Sequence, residues 1–270
     1  MTRHCASLGM YDHPAQRAAN DRLWAAMAGI LRSEGVADVP NTLDRSRDIH
    51  ALWRDPSLLF GQACGYPLIA DSSLALRVLA LPVYATPGCV GATHTSVIVA
   101  RADDIGTSLD GFRQRRAAIN DRRSNTGMNL LRATIAPVAG EGAFFASVIE
   151  TGSHRASMIA VGAGQADIAA IDCVTYPAIE RFEPAVTAAL RIVAHSPASP
   201  TLPFVTAAST SAATVTALRM ALDRVMVDSD LAEDRAHLFL TGAIAADRAA
   251  LAPIAALEAA AIRAGYAELR

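Results

Sequence analysis

The chain contains no lysine, and all 24 of its basic residues are arginine, set against 26 acidic ones for a net charge of −2. Without a basic excess there is no electrostatic hold on a polyanion, so nucleic-acid binding has little support. Arginine keeps its charge and grips planar or tetrahedral oxyanions through paired N–H groups, so the bias suits anion binding; a GC-rich genome produces the same bias. Cysteine is scarce. Cys5, Cys64, Cys89 and Cys173 show no CxxC spacing, which argues against a zinc ribbon and a small disulfide framework and leaves reduced, partly buried thiols as the expectation. No metal site and no cofactor is expected. Long apolar runs are also missing: no stretch of about 18 apolar residues occurs to span a membrane. No long apolar segment follows the basic start, so no signal peptide is expected; the location is cytoplasmic as the sequence is written, or periplasmic if an export segment has been removed. Repeats and low-complexity linkers are absent as well, which argues against two beads on a flexible tether.

What is present is apolar and ordered. With 270 residues and 52% hydrophobic composition, the chain has a sizeable core to bury, in one large domain or two medium lobes. Short β-branched runs alternate with longer helical patterns, the pattern of βαβ units and a largely parallel sheet. Strands are predicted at "HCASLGM" (4–10), "SLLFGQA", "LRVLALPVYA" and "TSVIVARADD" (95–104). A first helix begins at Pro14 and stops near Gly35. A second set follows: the strand "RAAIN", the helix "TGMNLLRATIA", the strand "FFASVIET", the helix "HRASMIAVGAG" and the strand "ADIAAID". "LRIVAHS" (190–196) returns to strand pattern, and the alanine-rich part from Ser209 onward predicts two or three helices. The two long strands bracket the second set and suit chain crossings, which predicts one lobe from 1–94 plus 197–270, another from 95–196, and a cleft between them.

In open α/β sheets ligands gather at the carboxyl ends of strands, where loops lead into helix N-termini with free N–H groups. "INDRRSNTGMN" is such a place: Ser124 and Thr126 offer hydroxyls and Gly127 lets the backbone approach a bound group, while an ordinary N-cap by Ser124 or Asn125 is the alternative. "IETGSHRAS" repeats the arrangement with Ser153 and His154, the latter also readable as a surface residue. Two helix starts of this kind can face one anion. "FGQACGYPL" places Gln62, Cys64 and Tyr66 at a third junction; Cys64 is readable as a nucleophile or as a buried thiol. Tyr11 and Asp12 end the first strand, Tyr11 offering a phenol to an anion and Asp12 capping a helix or facing a cationic group. Asp172 ends "AAID" as a helix cap or as the partner of a ligand amine.

"LLFGQACGYPL", "SNTGMNLLR", "TGSHRASMIAVGAGQADIAAID" and "LPFVT" resemble the corresponding segments of the phosphate/phosphite/phosphonate-type ABC transporter substrate-binding proteins, of the type II periplasmic binding protein superfamily. The resemblance covers roughly residues 4–207. It implies an α/β fold of two lobes closing on an oxyanion, and it carries over Tyr11, Ser124, Thr126, Gly127, Ser153, His154 and Asp172 as contacts. Met128 stands where the family's Ser-x-Ser-Gly-Tyr form has an aromatic. The function so implied is non-catalytic capture of a small oxyanion-bearing ligand, with an ABC permease as partner. A cytoplasmic sensor domain, or an enzyme on the same scaffold using Cys64 or His154, is the alternative.

Overall fold

Fully apolar runs become buried strands here, and runs of 3.6-residue periodicity become the helices that cover them. The computed structural model describes residues 4–106 and 108–270. The chain divides into two compact units, one of residues 1–85, 90–92 and 200–251 and the other of 86–89, 93–199 and 252–270.

The first unit is built on a five-stranded sheet in the order Cys5–Ser7, Leu58–Gln62, Phe204–Ala207, Leu76–Tyr84, Leu240–Ala245. Leu58–Gln62 and Phe204–Ala207 are buried along their whole lengths, as continuous apolar strands must be when both faces are covered. Helix Arg17–Ser33 buries Leu23, Trp24, Met27 and Leu31 on one face, and Trp24 stacks on Phe60 at 5.9 Å between ring centres. Helix Ala212–Val227 buries Leu218, Ala221, Leu222 and Val225 in the same way.

The second unit carries a five-stranded sheet in the order Leu190–His195, Ser96–Arg101, Ile168–Asp172, Arg116–Ile119, Ser147–Glu150. Its core joins Val97, Val99, Ala118, Ala169 and Ile171 of the strands to Met158 and Val161 of helix His154–Gly162. Helix Ala252–Arg263 packs on helix Leu130–Ala139, and the backbone N–H groups of Phe144 and Phe145 both donate to the Arg270 carbonyl, at 2.7 and 3.1 Å.

Four features differ from the sequence expectations. The sheets are mixed rather than largely parallel: among the described residues of the first unit only Cys5–Ser7 and Leu58–Gln62 pair in parallel, because Phe204–Ala207 and Leu240–Ala245 enter the sheet from distant chain and need no βαβ crossover. The first strand is three residues long, Cys5–Ser7, and gives way to a helical turn at Gly9–Tyr11. "LTGAIA" (240–245) is an edge strand inside a region expected to be helical throughout; its half-exposed, glycine-bearing pattern shows neither helical nor clear strand periodicity. Residues 252–270, expected with 1–94, pack with 93–199, and Arg132 of the second unit donates to Glu258 and to the Ala267 carbonyl.

Candidate functional site

Arg116–Ile119 pairs in parallel with both Ser147–Glu150 and Ile168–Asp172, so three neighbouring strands of the second unit point their carboxyl ends the same way. Each runs into a helical start. Two ladder-like bonds tie the first two loops together, from Thr151 N–H to the Ile119 carbonyl and from Gly152 N–H to the Asn120 carbonyl, both 2.9 Å.

After Ile119 the chain enters a wide π-type turn, Asn125–Asn129, followed by helix Leu130–Ala139. Ser124 caps it: its Oγ accepts from Gly127 N–H at 3.0 Å. The Gly127 amide is therefore engaged within the turn. Glycine is needed there for space, since a Cβ would stand 1.8 Å from Asn120 Oδ1. Asn125 is almost fully buried, and it carries a polar relay: Arg132 donates to Asn129 Oδ1 at 2.6 Å, Asn129 to Asn125 Oδ1 at 3.0 Å, and Asn125 to Ser199 Oγ at 2.8 Å. Ser96 Oγ donates to the Thr126 carbonyl at 2.9 Å, which fixes the turn to the neighbouring strand.

The second start is helix His154–Gly162, capped by Ser153, whose Oγ accepts from Ala156 N–H at 3.1 Å. Its first residue reaches the first turn, with His154 Nε2 2.9 Å from Thr126 Oγ1. Burial pushes the His154 pKa down, against the pull of the Asp172 charge, so the ring is neutral near pH 7. Asp172 is 1% exposed and accepts from Val174 and Thr175 N–H at 2.7 and 3.2 Å, as a cap of helix Thr175–Phe182. Burial drives its pKa up, but the nearness of His94 and His154 and the Val174 amide outweigh this and hold it at about 2.

Thus Ser124, Thr126, Gly127, Ser153, His154 and Asp172 fall at the ends of three adjacent strands. Two further residues belong with them. His94 Nδ1 stands 3.4 Å from Asp172 Oδ2, off the line of a hydrogen bond; the ring is fully buried and neither nitrogen has a hydrogen-bond partner among the described residues. Asn120 Oδ1 is buried and unpartnered in the same sense. Asn120 had a visible signal, a polar residue ending a strand as Thr151 and Asp172 do. His94 had none, because its place follows from the register that pairs Ser96 with Asp172.

The remaining expected contacts lie in the first unit. Gln62 is buried and donates to Tyr84 Oη and to the Leu202 carbonyl, both at 3.0 Å, so both amide hydrogens are committed to the core. Tyr11 packs edge-on against Tyr84 at 5.4 Å. Asp12 faces cations of its own chain, Arg45 at 2.7 Å and Arg17 at 3.2 Å. Cys64 precedes helix Gly65–Ala70 and is buried, as is Tyr66. Met128 turns toward a cavity of about 500 Å³ in the second unit, lined also by Arg122, Arg132 and Phe145. Among the described residues no cluster of His, Cys, Asp and Glu is placed to hold a metal ion, and no helix is long and apolar enough to cross a membrane.

Comparison with known proteins places this geometry. A binding-protein component of an ABC phosphonate transporter from Pseudomonas aeruginosa is 18% identical over 97% of this chain and 87% of its own, with a TM-score of 0.74. PhnD1 from Prochlorococcus marinus, solved in complex with methylphosphonate, is 14% identical over 96% of this chain and 97% of its own, with the same TM-score of 0.74. A Xanthomonas citri protein solved with ATP is 15% identical over 98% and 99%, with a TM-score of 0.71. At these identities the likeness establishes the fold, the two-lobed α/β type of the periplasmic binding proteins. None of the curated proteins matches the sequence. A family model does, over residues 58–256, and it describes a binding protein, which removes the enzyme alternative built on Cys64 or His154. The chain belongs to the family of periplasmic substrate-binding proteins of ABC phosphonate transporters.

Proposed function

We propose that this chain captures a small oxyanion-bearing molecule, a phosphonate, phosphite or phosphate-like ligand, for ABC-type uptake through a permease, and that the strand-end cluster of the second unit receives the oxyanion. The observation that carries the reading is the 2.9 Å contact between Thr126 Oγ1 and His154 Nε2, which joins two capped helix starts at one point. Helix starts present N–H groups and partial positive charge, and an oxyanion complements both. Ser124 and Ser153 accept amide hydrogens with their lone pairs, so their hydroxyl protons are available to a ligand oxygen. If His154 holds its proton on Nε2 and donates to Thr126, the threonine hydroxyl is available in the same way. Gly127 contributes room for Asn120. Asp172, charged at neutral pH, suits a ligand that carries an amine beside its oxyanion. The family being periplasmic, the working location in this reading is the periplasm.

Titration calorimetry and thermal shift with methylphosphonate, phosphite, phosphate, carboxylates and sulfonates test the proposal. Binding to the native state alone raises stability by about 2.7 kcal/mol at a hundredfold excess over Kd. Stabilisation by phosphorus oxyanions but not by carboxylates is the expected result. A flat response to every phosphorus oxyanion would overturn it.

A further inference from the structure

Cys89 and Cys173 are 84 positions apart in sequence, yet their sulfurs stand 3.4 Å apart, and oxyanion capture makes no use of them. The approach is set by backbone. Thr95 N–H donates to the Gly88 carbonyl at 3.0 Å and Cys173 N–H donates to the Thr95 carbonyl at 3.2 Å, so one residue holds both cysteine-bearing segments. Gly88 lies at φ +92°, and a Cβ there would come within 2.6 Å of Thr95 Oγ1 and 3.1 Å of Cys173 Cβ. The turn is thus pressed onto Cys173.

The two thiols differ in ways that divide the labour of an exchange reaction. Cys89 is half-buried and accepts a hydrogen bond from Thr86 Oγ1 at 3.2 Å; Cys173 is 1% exposed. The hydrogen bond from Cys173 lowers the Cys89 pKa to about 7, with help from Thr86 and against the effect of burial. Cys173 is pushed up by its bond to Cys89 and by burial. One sulfur is therefore a reachable thiolate near neutral pH and the other a sheltered thiol. Bond formation requires the sulfurs to close by about 1.4 Å, to the roughly 2.04 Å of a disulfide.

We infer that Cys89 and Cys173 form a redox modification site, closing to an intramolecular disulfide by exchange with a small disulfide oxidant of the glutathione class and reopening with a dithiol. The Cys89 thiolate attacks one sulfur of the oxidant, whose S–S bond breaks and whose other half leaves as a thiolate. Cys173 then attacks the Cys89 sulfur, its proton passing to solvent, and the second half of the oxidant leaves as a thiolate. Starting from one thiolate and one thiol, the pair has lost two electrons and one proton, and the oxidant has become two thiolates that take up protons from solvent. The bond ties residues 86–89 to the strand end that carries Asp172.

The test treats the whole chain with a graded ratio of oxidised to reduced glutathione, quenches with an alkylating agent and maps the peptides by mass. The expected result is a bridge between Cys89 and Cys173, with Cys5 and Cys64 alkylated only after unfolding, and a bridging rate that falls as pH drops below about 7. In Cys173→Ser, Cys89 retains a glutathione adduct; in Cys89→Ser, Cys173 takes up none. Far-UV circular dichroism of both variants checks that they fold. Four unbridged thiols at every ratio, a bridge between any other pair, or no adduct on Cys89 in folded Cys173→Ser would overturn the assignment.

Discussion

Thr126 and Asn125 are neighbours with opposite duties. Thr126 meets His154 at a point where two helix starts converge, whereas Asn125 points into the interior and holds Ser199 and Asn129. Thr126→Ala is therefore expected to weaken oxyanion binding about ten- to hundredfold, the loss of one hydrogen bond to a charged group at roughly 1.5–3 kcal/mol. Its effect on folding should be small. Asn125→Ala is expected to do the reverse, leaving two buried partners unsatisfied at a cost of about 1–3 kcal/mol in denaturant stability while affinity changes little. Calorimetry and denaturant melts on the same two variants check the pair. Gly127→Ala should impair both properties, because its methyl group would collide with Asn120 Oδ1 at 1.8 Å and one of the two must move. Crystal structures or chemical shifts of the 120–129 segment would show that movement. The capping role of Ser124 was legible in the sequence, since a hydroxyl before a helix-like run has few other local tasks. The burial of Asn125 was not, because Ser199 and Arg132 reach it only through the fold. His94 stayed hidden for the same reason.

At the scale of elements, the start of helix His154–Gly162 rests on its Ser153 cap, and Ser153→Ala should cost about 1 kcal/mol of stability. If Ser153 also donates to the ligand, affinity falls with it, which separates a shared role from capping alone. The helix Ala252–Arg263 acts on the 125–129 turn from a distance: Glu258 holds Arg132, Arg132 holds Asn129, and Asn129 holds Asn125. Glu258→Ala is expected to lower stability by about 1–3 kcal/mol, because the Arg132 guanidinium is buried and loses a charged partner. Double-mutant cycles with Asn125→Ala should then show coupling well beyond the few tenths typical of independent sites. Helices and most strands were legible from their apolar pattern, as "ADIAAID" at the centre of the second sheet and "LRIVAHS" at its edge show. The strand at 240–245 was not, for an edge strand with glycine at its centre carries half a pattern, and the placement of 252–270 depended on a buried arginine far upstream.

At the scale of the whole molecule, two shifted groups of the strand-end cluster bear on the response to acid, beside the lowered carboxyls of Asp44, Asp55, Asp71 and Asp167. His154 is depressed below its usual 6.5 by burial, so the unfolded chain takes up that proton first, and stability declines as pH falls below about 6.5. Asp172 lies at about 2 in the folded protein against 3.8 ordinarily, so its contribution is complete above about pH 4 and is lost as pH falls through 2. That contribution is on the order of 2 kcal/mol. Melting curves against pH should show both limbs; His154→Gln should flatten the upper one and Asp172→Asn should lessen the lower, to which Asp44 also contributes.

Both units are completed by chain that is made late. Phe204–Ala207 lies between Leu58–Gln62 and Leu76–Tyr84 in the first sheet, and 252–270 pack into the second unit. On the ribosome, an emerging chain has no way to close its first sheet until the middle strand arrives some 120 residues later, a separation of the same order as the 140 between Gln62 and Leu202, which share a hydrogen bond. Nor is the second unit complete before residue 252 has emerged. Its apolar strands thus remain open through most of synthesis, exposed to chaperones, and long-range closure of this kind is slow.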